Sequence, residues 1–113
     1  MENILEHCGV KARIAFDPDI DMFRGEILGL SGSADFYAED ISSLKQELEN
    51  SLDVYLEACK DEKIEPYKNY NGKISFRTEG ELHYKLDVMA SSLGMSINKL
   101  LGRIVESEIR NVT

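Results

Sequence analysis

Within the segment "GKISFRTEGELHYKL" (72–86), Lys73, Ser75 and Arg77 occupy alternate positions of 73–78, interleaved with Ile74 and Phe76. Successive side chains of an extended chain point to opposite faces. The spacing therefore puts two cations and a hydroxyl on one side, and Ile74, Phe76 and Thr78 on the other. A two-stranded ribbon of this kind has the right width for a DNA major groove and carries hydrogen-bond donors on its outer face. A lone six-residue strand cannot pair with itself, and both its apolar side chains and its edge groups need a partner. Two copies pairing antiparallel above four helices supply both. The segment thus predicts a two-fold homodimer with a donor-bearing two-stranded ribbon on its outer face, a type of β-ribbon known to enter DNA grooves.

Other chemistry is sparse. His7 and Cys8 are adjacent, Cys59 lies far away on the apolar side of a predicted helix, and no C-x-x-C or H-x-x-x-H spacing occurs. No metal site is expected from that pattern, and the cysteines read as packing residues. His83 reads as an edge residue of a helix. Asp17, Asp19 and Asp21 in "DPDID" resemble the opening of a calcium loop. That loop requires glycine at its sixth position and glutamate at its twelfth, where this chain has Met22 and Leu28. No nucleophile elbow, P-loop or dinucleotide fingerprint is present. Two-metal strand cleavage needs several converging carboxylates, but the first predicted strand offers Lys11 and Arg13 outward and the second only Glu26. The expectation is a protein without catalytic residues, cofactor or metal, and not an enzyme.

The positioning elements follow from periodicity. Val10, Ala12, Ile14 and Phe16 alternate with Lys11 and Arg13, predicting a half-buried strand. "DPDID" turns the chain into a second strand over 22–28, and "ADFYA" (34–38) is a short third. Asp40 is a predicted N-cap. After it, Ile41, Leu44, Leu48, Leu52, Tyr55, Leu56 and Cys59 keep helical spacing for about five turns. "DEKIEPYKNYNG" (61–72) reads as a connector. Beyond the 73–78 strand, Thr78 and Glu81 have capping-box spacing. Leu82, Leu86, Met89 and Leu93 mark a helix that Gly94 ends. Ser96 then caps a second helix carrying Ile97, Leu100, Leu101, Ile104 and Val105. The predicted order is βββα, connector, βαα.

The 113 residues carry a net charge of -8, divided unevenly. Residues 1–66 hold 16 acids and 6 bases, while residues 67–113 hold 5 acids and 7 bases. The asymmetry predicts a different partner for each part. No apolar run of membrane-spanning length and no export signal are read, so a reduced, cytoplasmic protein is expected.

"KISFRTEGELHYKLDVMASSLGMSINKLLGRIVES" resembles the ribbon-helix-helix family over about 40 residues, most specifically at "GMSIN". The resemblance implies that Lys73, Ser75 and Arg77 read bases. Ser96 and Asn98 open the second helix, whose amides and dipole would hold a phosphate, with Lys99 adding charge. The order and spacing of "EILGL", "DFYAEDISSL", "VYLEAC" and "IEPYKNYNGK" resemble HicB-type antitoxins over nearly the whole chain. That resemblance implies an α+β protein in three parts. Residues 1–66 would form a degraded RNase-H-like toxin-binding domain, 67–72 a linker, and 73–113 the ribbon-helix-helix domain. The partners implied are a HicA-like mRNA interferase toxin and operator DNA. The assembly is a dimer, or a tetramer if the N-terminal domains also pair. An acidic partner suits an RNA-binding, hence basic, toxin, and Asp17, Asp19 and Asp21 are candidate toxin contacts. The alternative is a free-standing ribbon-helix-helix regulator whose N-terminal domain senses a small ligand.

Overall fold

Cys8 and Gly9 both hold positive φ, 54° and 77°. This two-residue turn folds strand β1 (Ile4–His7) back on β2 (Val10–Asp17), with His7 opposite Val10. Paired positive φ gives a turn whose twist matches the flanking strands. β1 is absent from the sequence reading. Its four residues show no clean alternation, and Cys-Gly is not one of the usual turn signals.

The computed structural model describes residues 3–112. At the far end of β2, the Asp17 carboxylate accepts from the Asp19 amide at 3.0 Å, and Asp21 takes a φ of 53°. That turn leads into β3 (Met22–Ile27), which pairs with β2 from Asp17↔Met22 to Ala12↔Ile27. β4 (Asp35–Ala38) pairs with β3. The sheet is an antiparallel meander in the order β1-β2-β3-β4. β2, β3 and β4 fall within a residue of the predicted strands at each end.

One sheet face packs on helix α1 (Ile41–Glu62). The sheet contributes Val10, Ala12, Ile27, Phe36 and Ala38, the loop after β3 contributes Leu30, and the helix Leu44, Leu48 and Leu52. Gly25 lies under the Phe36 ring, where a Cβ would come within 2.1 Å of Cζ. The predicted apolar face of β2 fades toward the hairpin: Phe16 is exposed and meets Phe23 edge-on at 5.7 Å. The other sheet face carries Arg13 on Glu26 at 2.6 Å and Arg24 on Asp35 at 2.5 Å.

Asp40 caps α1 as expected, its carboxylate accepting from the Ser43 amide at 2.8 Å and the Ser42 hydroxyl at 2.9 Å. The Ser43 and Ser42 bonds hold the Asp40 carboxyl below its ordinary pKa. The helix is 22 residues long and so reaches into the predicted connector. It ends at Lys63 in the left-handed region, with Ile64 N donating to Cys59 O at 2.9 Å.

The segment after Lys63 docks back on the first part of the chain. Ser31 N donates to Pro66 O, and Lys68 N to Gly29 O, each at 2.9 Å. The Tyr55 hydroxyl accepts from Gly32 N at 2.9 Å and donates to Pro66 O at 2.8 Å. The chain accordingly divides into two compact units, Met1–Asn71 and Gly72–Thr113.

In the second unit, residues 73–79 lie in no strand, in contrast to the predicted 73–78 strand. A ladder needs a second extended segment, and β1 to β4 are all paired within the first unit's sheet. Helices α2 (Gly80–Ser92) and α3 (Ile97–Val112) complete the unit. The predicted capping box at Thr78 is not formed. The helix starts later, with Glu79 at the cap position and no side-chain cap bond, which moves Glu81 off the third helical position that the box requires. Gly94 ends α2 at φ 68°. Met95 N donates to Ala90 O at 3.0 Å and Gly94 N to Ser91 O at 3.2 Å, the two-bond closure that glycine allows. Among the described residues of this unit only Ala90 and Leu100 are buried apolar residues. No helix among the described residues is long and apolar enough to cross a membrane.

Candidate nucleic-acid interface

Ser96 does what its position predicted. Its Oγ accepts from Lys99 N at 3.1 Å, and its carbonyl takes Leu100 N at 3.0 Å. The α3 amides that remain at the helix start are those of Ile97 and Asn98, where the helix dipole favours an anion. Ser96, Asn98 and Lys99 are all exposed. The sequence-predicted phosphate contacts are thus brought together on one accessible helix terminus.

The ribbon residues precede α2 in the same unit. Lys73, Ser75 and Arg77 are exposed, but so are the two residues assigned to the opposite face: Ile74 is 87% exposed and Phe76 57%. Ile74 and Phe76 border a groove of about 1060 Å³ whose apolar walls include Leu86, Ile97, Leu101 and Val105. Lys73 and Arg77 also reach its rim, while Ser75 does not. The alternation is therefore only partly expressed in the isolated chain. α3 likewise leaves Ile104, Val105, Ile109 and Val112 exposed, an apolar stripe of the kind that a packed partner normally covers.

The HicB family model matches residues 55–104. The matched span covers the end of α1, the docked connector, the 73–78 segment, α2 and the first half of α3. This part of the chain is similar to HicB-family proteins; β1 to β4 lie outside the match. No curated protein and no solved structure matches the chain.

The acidic residues singled out in the first unit are distributed differently. Asp17 is half-buried and holds its own turn, while Asp19 and Asp21 are exposed on the loop between β2 and β3.

One constellation escaped the sequence reading. His7 Nε2 lies 2.6 Å from Glu49 Oε1, and the Cys8 thiol donates to the same oxygen at 3.3 Å. The His7 and Cys8 bonds hold the Glu49 carboxyl below its ordinary pKa. Partial desolvation and then Glu49 raise the Cys8 thiol. Glu49 is 42 positions from His7. No local spacing signals that meeting, because it depends on the β1–β2 turn that the sequence reading lacked.

Proposed function

We propose that the chain is a HicB-type antitoxin that also represses its own operon. In this reading it has no catalytic activity of its own. The first unit binds and masks a small basic HicA-like toxin. Two copies of the second unit pair through residues 73–78 and place Lys73, Ser75 and Arg77 in the operator major groove. Ser96, Asn98 and Lys99 hold flanking phosphates. The observation that carries the reading is the HicB family match across 55–104, because it takes in both the ribbon segment and the start of α3. The acidic first part of the chain and the uncovered apolar residues of the second unit support it.

The test is binding to DNA from upstream of the chain's own reading frame, at stated salt because phosphate contacts are salt-dependent. Arg77→Ala is expected to cost about 1–3 kcal/mol at the cognate site and to relax specificity there. Lys99→Ala is expected to weaken binding on all sequences and to reduce the salt slope by about 1. Normal operator binding by Arg77→Ala in a gel shift overturns the ribbon assignment. Co-expression with the product of the neighbouring reading frame tests the other half. A tight complex that blocks RNA cleavage supports the antitoxin reading, and absence of binding rejects it.

A further inference from the structure

The His7–Cys8–Glu49 constellation offers one nitrogen, one sulfur and one oxygen, all within 4.8 Å of one another. They come from three places: the last residue of β1, the turn after it, and the middle of α1. We propose that these three side chains form a zinc site that clips the β1–β2 turn to α1, with water as the fourth ligand.

The donor set decides the metal class. A thiolate excludes the hard, oxygen-preferring calcium and magnesium, while imidazole and carboxylate complete a set that suits zinc. The dimensions also fit. Zinc–ligand distances of roughly 2.0–2.3 Å at tetrahedral angles place neighbouring donors about 3.4 Å apart. Cys8 Sγ and Glu49 Oε1 are already at 3.3 Å, the 2.6 Å His7–Glu49 pair must open by less than an ångström, and the His7 and Cys8 donors lie within 4.8 Å of each other.

Charge points the same way. Binding removes the thiol proton of Cys8 to solvent, and the resulting thiolate and Glu49 carboxylate together balance the two charges of the ion. Asp53, one helical turn beyond Glu49, adds negative potential at Cys8.

All three donors are partly or fully exposed, so an ion has a path in. Cys59, the other thiol, is buried and distant in sequence from the cluster, which makes it the control.

The test uses the full chain, freed of any histidine tag and titrated with Co²⁺ as a spectroscopic substitute and with Zn²⁺ against a chromophoric chelator. Expected are one ion per chain, a thiolate-to-cobalt charge-transfer band with tetrahedral visible bands, and displacement by Zn²⁺. Cys8→Ser and Glu49→Gln should each weaken Zn²⁺ binding at least tenfold. Cys59→Ser should leave both band and affinity unchanged. Circular dichroism on each variant separates loss of a ligand from loss of the fold. A correctly folded wild type that gives no thiolate band overturns the proposal, as does a band that survives Cys8→Ser. So does Zn²⁺ binding that Glu49→Gln leaves unaltered.

Discussion

Among the described residues, the first unit gathers nine buried apolar side chains into one core between sheet and helix, whereas the second buries only Ala90 and Leu100. Both carry amphipathic helices, and the difference lies in what faces the apolar side. α1 has a four-stranded sheet against it. α2 and α3 have each other, and Ile74, Phe76, Val88, Ile104 and Ile109 stay exposed. A short helical pair cannot cover its own stripes. One unit therefore holds most of the single chain's buried core, and the other leaves most of its apolar surface exposed.

The sharpest way to break this contrast is to truncate the core. Leu48 is 0% exposed in the centre of α1. Leu48→Ala is expected to cost about 2–5 kcal/mol by lost burial and residual cavity. Measured by chemical denaturation of the first unit's transition, the loss should be the same at every protein concentration. A loss that grows on dilution would mean that this core too depends on assembly.

The matching truncation in the second unit should behave in the opposite manner. Phe76 is more than half exposed, so Phe76→Ala removes little from the isolated chain. It should raise the dimer dissociation constant at least tenfold, about 1.4 kcal/mol, as read by sedimentation equilibrium. Unchanged self-association would show that the apolar face around the 1060 Å³ groove is not the dimer surface.

Legibility in the sequence follows the same division. Elements with a strong local period were readable: β2 alternates and is half-buried, and α1 repeats its leucines at 44, 48 and 52 above a capping aspartate. Where a bond is local, as between Ser96 Oγ and Lys99 N, spacing alone found it. Thr78 failed because capping-box spacing does not fix where a helix begins, and α2 begins after Glu79. β1 failed because four residues carry too little pattern, and with it went the view of His7 and Cys8 against Glu49. The 73–78 alternation is legible in the sequence, yet residues 73–79 lie in no strand. The Tyr55 and Pro66 docking bonds turn part of an apparent linker into structure, through contacts that composition does not encode.

The smallest expected effect lies at the start of α1, where Asp40 caps the helix that covers the first unit's sheet. Its carboxyl has a lowered folded pKa, because the ionised form accepts bonds from Ser43 and Ser42. A depressed folded value means that the cap's contribution is fully present above the ordinary aspartate range. It is lost as pH falls through the folded value, because protonation removes the charge that accepts those bonds. Asp40→Ala should therefore lower the melting temperature of the first unit by a modest, constant amount near neutral pH, and the gap to wild type should narrow below about pH 4. The second unit offers the internal comparison. Ser96 caps α3 with a neutral hydroxyl, so the gap produced by Ser96→Ala should not vary over the same acid range. If both gaps narrow together, the acid dependence comes from general charge repulsion and not from the Asp40 cap.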